Sequence, residues 1–509
     1  MMRPLNRIIT NTLAQYIRTI INMVLTLYSS RLILDSLGVE DYGIYALVAG
    51  VIGMLSFFTN SLVSSTQRFL SVSQGKKNIT ELNKIFNNCL ILHILIGVGI
   101  VIILSSMGPL LFKSVLNIPF ARIEAAKVLY LQVIGMVYIS FVSSPFRALL
   151  VSRENIVYIS IIDVLDGVFK VVLVFLLYII AYDKLVIYGW ILIVIQLFNL
   201  LAFSIFCYLK YEECSKPNLK EFDFSFLKKI ISFTGWIVYS TCAIAVRNQG
   251  FGVVLNRVYG TAMNAAYGIG GQIAGMIAFL SASFSNAIAP QLMSAEGGGE
   301  RERMWRLAAI QSKFSFLLLS ILAIPTIFEL NTLLKIWLVN VPEYSYLWGC
   351  MFILMQTIDQ LSSGLGLANK AMGKIGLYTF VTTTPKLLII PLSLWAFMHE
   401  VQLIAICLLF VSIETICMYL RIHLLIGKKG FVASDYCKNV ILRPLIPVLC
   451  SGVVCYLICE YTHFAYRFIF TYISSIMVFI VCAYFCTLDD NEQKTINGIL
   501  MKLKLNRKN

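Results

Sequence analysis

Charged side chains interrupt long apolar runs at only a few places in this 509-residue chain. Arg18, Arg247 and Lys386 lie deep in such runs, and Arg31, Arg68 and Arg257 lie nearer their ends. Four acids share these surroundings: Asp163, Asp166, Asp359 and Glu414. A guanidinium grips phosphate oxygens two at a time and never gives up its proton, so these cations are candidates to hold an anionic group. Snorkelling to an interface or pairing with a nearby acid would serve each of them as well. Asp163, Asp166 and Lys170 are spaced to share one helix face, and Asp166 and Lys170 at i,i+4 form an ion pair on this reading. Asp163 is then left over. A spare carboxylate can take up and release a proton, which makes Asp163, Asp166, Asp359 and Glu414 candidates for coupling to H+ or Na+. No other cofactor and no metal is implied.

The elements that carry these charges follow from composition. The chain is 59% hydrophobic and 13% charged, with mean hydropathy +0.81, whereas a soluble domain carries about a quarter charged residues. Apolar runs of about 20 residues recur along its length, as a bilayer core about 30 Å thick demands of helices. They predict an all-α integral membrane protein of about 14 spans. The spans fall near 11–34, 42–69, 86–112, 122–150, 156–181, 185–209, 229–256, 262–293, 305–329, 344–371, 375–398, 401–426, 440–459 and 465–487.

A net charge of +15 could suggest nucleic acid. Assigning alternate loops to the two sides, however, puts about 26 Lys and Arg with both termini and about 8 opposite, the asymmetry of a cytoplasmic face. Lys76, Lys77, Lys84, Arg301, Arg303, Arg306, Lys428, Lys429, Lys438 and the tail residues Lys502, Lys504, Arg507 and Lys508 are on that side, against anionic lipid headgroups. No nucleic-acid partner is expected. Arg18 interrupts the first apolar stretch, which reads as a retained span rather than a leader.

The sequence repeats itself. Tyr42-Gly43-Ile44 matches Tyr267-Gly268-Ile269, and at the same offset Ala49-Gly50 matches Ala274-Gly275, Ile52 matches Ile277 and Leu55-Ser56 matches Leu280-Ser281. Arg31 and Arg257 fall within one residue of equivalence, and Gln74-Gly75 pairs with Glu296-Gly297. A repeat of about 225 residues gives two six-helix bundles in parallel orientation, with the last two helices as an appendage. The expected domains are 1–212, a cytoplasmic linker at 213–228, 229–430, and 431–509. Two such repeats are a transporter architecture, with substrate between halves that rock. Pro145, Pro290, Pro325 and Pro385 can kink spans, and Gly268, Gly270, Gly271 and Gly275 can let backbones approach.

Other clusters lead nowhere. Cys455, Cys459, Cys482 and Cys486 form two i,i+4 pairs, but small apolar residues at helical spacing are ordinary packing. Gly297-Gly298-Gly299 lacks the Lys-Ser/Thr of a phosphate loop and reads as a flexible turn. Asp35, Glu40 and Asp41 read as a solvated cap, because no outer loop is long enough to build an enzyme cleft. The chain is therefore not expected to be an enzyme.

Asn11-Thr12-Leu13, the run from Tyr28 to Tyr45 and the run from Ser64 to Phe69 together resemble the polysaccharide-lipid flippases of the Wzx type. These flippases translocate O-antigen or capsule repeat units and belong to the multidrug/oligosaccharidyl-lipid/polysaccharide exporter superfamily. The stretches 264–269 and 371–374 extend the resemblance over most of the first 430 residues. The resemblance implies two six-helix lobes in a MATE-like V, a basic cavity, and transfer of an undecaprenyl-pyrophosphate-linked oligosaccharide across the bacterial inner membrane by alternating access. The pyrophosphate would meet Arg18 and Arg247. Membrane lipids, a polysaccharide polymerase and a chain-length regulator are the partners to expect. Three rival functions remain on the sequence: a cation-coupled exporter of the same superfamily, which would want an acidic cavity; a membrane glycosyltransferase or polymerase, which would want an outer domain; and a scaffold, against which only the intramembrane charges speak.

Overall fold

In hydrocarbon a backbone can satisfy its polar groups locally only as helix, and the computed structural model is helical throughout its long elements. It describes residues 4–53, 56–112, 118–180, 182–214, 218, 222–338, 340–462, 464, 466–490, 492–494, 497 and 498. The helices are α1 Pro4–Gly53, α2 Ser56–Gly75, α3 Ile79–Leu110, α4 Ile123–Ser152, α5 Ile156–Val174, α6 Leu176–Ile179, α7 Lys184–Lys210, α8 Phe224–Tyr259 and α9 Thr261–Gly297. They continue as α10 Arg301–Trp337, α11 Ser345–Met372, α12 Gly376–Leu387, α13 Ile389–Met398, α14 Leu403–His423, α15 Ala433–Tyr436, α16 Arg443–Tyr461 and α17 Arg467–Cys482.

Among the described residues, 11 helices are long and apolar enough to cross a membrane. The expected spans at 156–181 and 344–371 are helical but too charged or polar to be among them, and the expected span at 42–69 is divided by residues 54 and 55, which lie outside the described residues. The helix α5 carries Asp163, Asp166 and Lys170, and α11 carries Gln356, Asp359, Gln360 and Asn369. Residues 54, 55 and 181 of these spans, and the basic tail, lie outside the described residues. The expected loop between the first two spans is reduced to one break within α1, at Gly38 with φ 77°. Pro385 has the expected effect: the chain breaks at Leu388, whose N–H reaches back to the Pro385 carbonyl at 3.1 Å. Pro145, Pro290 and Pro325 are carried inside unbroken helices.

The chain divides into two compact units. The first comprises Met1–Thr241, Asn286–Glu300 and Lys370–Gly376, so it runs beyond the expected linker into α8 and takes in the ends of α9 and α11. Its core is Leu129, Val133, Tyr188 and Leu185 in one cluster and Leu70, Phe86, Phe146, Leu149 and Ile230 in another. The described part of the linker is tied down: Asn87 exchanges two hydrogen bonds of 2.8 Å with the Asn218 backbone, and Asn88 accepts from the Asp223 N–H. Hydrogen bonds from the Ser225 hydroxyl and the Phe226 amide, with the Lys84 ammonium nearby, hold the Asp223 carboxyl far below the usual range.

Within this unit Gly75 and Gly297 meet. A Cβ on Gly75 would lie 2.0 Å from the Ser294 carbonyl oxygen, and one on Gly297 would lie 1.9 Å from the Val72 carbonyl oxygen. Gly297 is therefore a close crossing rather than the free turn expected from its glycine run. Beside it Gln291 donates to Glu154 at 2.9 Å.

The second unit comprises Cys242–Ser285, Arg301–Asn369 and Leu377–Asn509. Its core is aromatic: Trp348 is fully buried, with Tyr267 edge-on at 5.4 Å and Phe251 edge-on at 5.6 Å. Here α9 passes α11 closely at Gly270, where a Cβ would come 2.8 Å from the Gly349 nitrogen, whereas Gly268 and Gly275 face open space and Gly271 makes ordinary contact. The last two helices pack on α10 through ions. Glu329, with a fully buried side chain, accepts from Arg467 at 2.9 Å and Thr471 at 2.8 Å. Lys313, 4% exposed, meets Glu492 at 2.6 Å.

A methyl group at the Gly75–Gly297 crossing has no flexible neighbour to displace. Gly75→Ala and Gly297→Ala should each cost about 1–3 kcal/mol, read as a lowered melting temperature in detergent. Gly235→Ala, where no atom lies within 4 Å, should be neutral or stabilising, since alanine is the better helix former.

Candidate functional site

An arginine at bilayer depth costs about 2.5–3.5 kcal/mol unless it finds a partner, and each unit answers with a cluster of its own. In the first, Asp163 on α5 accepts from Arg18 Nη1 at 2.7 Å and from both terminal nitrogens of Arg147 on α4, at 2.9 and 2.8 Å. One turn on, Asp166 accepts from the Asn199 side chain on α7. The Asp166–Lys170 ion pair expected from spacing does not form among the described residues, and Asp163, expected to be spare, is held by two arginines. Spacing within α5 carries no information on Arg147 and Arg18, which come from neighbouring helices.

In the second unit Lys386 on α12 lies between two carboxylates, 2.6 Å from Glu414 Oε1 and 3.7 Å from Asp359 Oδ1. Arg247 on α8 stands 3.5 Å from the other Glu414 oxygen and donates to Asn248 at 2.9 Å. Arg421 donates to Asp359 at 2.8 Å and to Ser362 at 3.1 Å. Glu414, Lys386 and Arg247 have side chains only 3%, 5% and 8% exposed.

Both clusters carry three cations, Arg18, Arg147 and Lys170 in one and Arg247, Lys386 and Arg421 in the other. Each faces two carboxylates, Asp163 with Asp166 and Asp359 with Glu414. Each of these two clusters is left with one formal positive charge. Arg18 and Arg247 thus contribute to a positive field while being ion-paired, rather than standing free to close on a ligand.

The shallower arginines divide. Arg68 donates to the carbonyls of Lys370 and Ala371 at 3.2 and 3.0 Å, and its guanidinium lies 4.6 Å from the Phe69 ring centre. It caps the C-terminal end of α11, where backbone carbonyls lack helical partners. Arg31 and Arg257 are exposed and make no side-chain hydrogen bond or ion pair among the described residues.

Asp41 is not a solvated cap. Arg122 binds it through two hydrogen bonds of 2.7 and 2.6 Å and reaches Asp183 at 2.7 Å, while Asp35 accepts from the Tyr178 hydroxyl at 2.7 Å. Burial pushes the Asp183 carboxyl up, but hydrogen bonds from Arg122 and from the Val186 and Leu185 amides outweigh this and leave it below the usual range. Arg147, Arg421, Lys313, Glu329 and Arg467 were missed as functional or structural centres. Lys313 lies well inside an expected span and could have been found by the rule that found Arg18. Glu329 and Arg421 sit where a span meets its loop, and there the pattern gives no signal.

The family model for polysaccharide biosynthesis proteins matches residues 5–296. The chain belongs to this family. It is the group, within the multidrug/oligosaccharidyl-lipid/polysaccharide exporter superfamily, that the motifs around Tyr28–Tyr45 resemble. No curated protein sequence matches this polysaccharide biosynthesis protein. Among solved structures it is similar to a MATE protein in the bent conformation, with TM-score 0.73 at 14% identity over 86% of this chain and 97% of the other. An outward-facing multidrug resistance MATE family transporter gives 0.70 at 15% identity, over 86% and 98%. A transporter of the superfamily from Pyrococcus furiosus, described as having a binding pocket of reverse polarity, gives 0.65 at 14% identity, over 82% and 94%. At such identity the likeness establishes the MATE-like fold alone.

For this family member two outcomes follow from the ion pairs. Glu414→Gln removes the carboxylate nearest Arg247 and leaves buried Lys386 only Asp359 at 3.7 Å, and should cost about 3 kcal/mol; Glu414→Gln combined with Lys386→Met should recover part of the lost melting temperature. A depressed carboxylate contributes stability that is complete above about pH 4 and lost as pH falls through its folded-state value. Melting temperature should therefore drop on acidification from pH 7 to pH 3, and Asp183→Asn should flatten that drop by being less stable already at pH 7.

Proposed function

We propose that this protein is a flippase that carries an undecaprenyl-pyrophosphate-linked oligosaccharide across the bacterial inner membrane by alternating access, for surface polysaccharide assembly. Membership of the polysaccharide biosynthesis family over residues 5–296 carries the reading. The charge of the two clusters supports it, since a cluster with one cation in excess suits a pyrophosphate and repels an organic cation. Sugar hydroxyls stripped of water cost several kcal/mol apiece, so a headgroup needs a polar path, whereas the prenyl tail stays in lipid. Both termini are cytoplasmic on this reading, and a polymerase and chain-length regulator act on the product. The cation-coupled exporter is the second reading. Of the four candidate coupling acids, Asp166 takes its direct hydrogen bond from a neutral donor, Asn199, and it is the residue we assign to coupling by H+ or Na+.

Proteoliposomes loaded with a fluorescent undecaprenyl-pyrophosphate oligosaccharide test both parts. Wild type should flip it, and Arg18→Ala and Arg247→Ala should reduce the rate at least tenfold in protein that still elutes as a folded species. Export of organic cations with no movement of lipid-linked sugar would replace the flippase by the exporter. Asp166→Asn should remove the response of the rate to an imposed ion gradient; a rate that keeps its full gradient dependence would take Asp166 out of the coupling step.

A further inference from the structure

The second unit has a polar cavity set apart from its buried ion cluster. It is about 420 Å3 and is lined by Gln249, Gly252, Val253, Asn256 and Arg257 of α8 and Asn264 of α9. Four of these six residues carry hydrogen-bonding side chains, and none of the four makes a side-chain hydrogen bond or ion pair among the described residues. Gln249, Asn256 and Arg257 are exposed, although α8 is one of the helices apolar and long enough to cross a membrane. Carboxamides left bare toward hydrocarbon would each cost several kcal/mol, so this face must meet water or a polar ligand. Arg257 lies in the last turn of α8, where the helix dipole favours a cation. That placement still leaves its guanidinium donors unused.

The chemistry of the lining is specific. One guanidinium with no lining carboxylate to neutralise it selects an oxyanion. Three carboxamides, each able to donate and accept, suit the hydroxyls of a sugar. The corresponding stretch of α1 carries no carboxamide among its exposed residues, which include Met23, Val24, Thr26 and Tyr28, even though Arg31 is the near-equivalent of Arg257. We propose that the Gln249–Asn256–Arg257–Asn264 cavity is a binding subsite for an oxyanion flanked by hydroxyls, on the flippase reading the headgroup of the lipid-linked sugar. The oxyanion is supplied either by an acidic sugar's carboxylate or by the pyrophosphate beside the first sugar. Gly252 keeps the cavity open, since a Cβ there would come 2.9 Å from Asn264 Oδ1.

The test is calorimetric titration of the purified full-length protein with two soluble probes, a phosphate-free oligosaccharide containing a hexuronate and inorganic pyrophosphate. Arg257→Gln and Gly252→Ala, each checked for an unchanged melting temperature, should weaken binding of one probe by about tenfold or more, as expected for loss of a charge-assisted pair. Weakened uronate binding supports the site with an acidic sugar as its ligand, and weakened pyrophosphate binding supports it with the lipid's pyrophosphate. Binding of neither probe, or binding indifferent to both substitutions, overturns the subsite. Should Gly252→Ala lower the melting temperature, Asn264→Ala, which enlarges the cavity, takes its place. The flippase reading fails separately: wild type that moves no lipid-linked sugar while the titrations behave as expected would leave the subsite standing and remove its assigned substrate.

Discussion

A guanidinium inside a bilayer has a short menu of partners: a carboxylate on another helix, a backbone carbonyl freed at a helix end, or water held in a cavity. Arg18 and Arg147 take the first course with Asp163, Arg68 takes the second at Lys370 and Ala371, and Arg257 lines a polar cavity. Much of the architecture follows from these choices. The helix α5 can carry three charges because α1, α4 and α7 bring Arg18, Arg147 and Asn199 to it. The helix α12 can bury an ammonium because α14 brings Glu414. Apolar packing drives helices together weakly where the surrounding solvent is itself apolar, so these polar contacts between helices specify which neighbour goes where.

A pair of like-charged clusters is also a functional statement. Were each carboxylate matched one for one, the interior would be electrically neutral and indifferent to substrate charge. Three cations against two acids in each cluster leave a positive potential, which low-dielectric walls make felt beyond contact distance. A substrate can then be attracted without any single arginine having to abandon its partner to hold it.

The all-helical class, many of the spans and several of the deep charges were legible because the bilayer imposes a length and a polarity on its segments, and both are visible along the chain. Ion pairing was not, because it depends on which helix is adjacent. Spacing within α5 suggested Asp166 with Lys170, and the outcome was set by Arg147 arriving from α4. The same limit explains Arg68, whose partners are two backbone carbonyls about three hundred residues away. Gly297 shows a third kind of blindness: a glycine run looks flexible in sequence, and only the course of α2 shows that it is a tight crossing.

The two ion pairs beneath the C-terminal hairpin change what counts as the minimal protein. Glu329 and Lys313 belong to α10, yet their charged partners Arg467 and Glu492 come more than a hundred residues later in the chain. A chain ending near residue 430 would leave a carboxylate and an ammonium with no counterion, one toward each end of the same helix. The hairpin is therefore an integral closure of α10, not a detachable anchor. A relative of this protein without the hairpin could dispense with it only by having first become neutral at both positions.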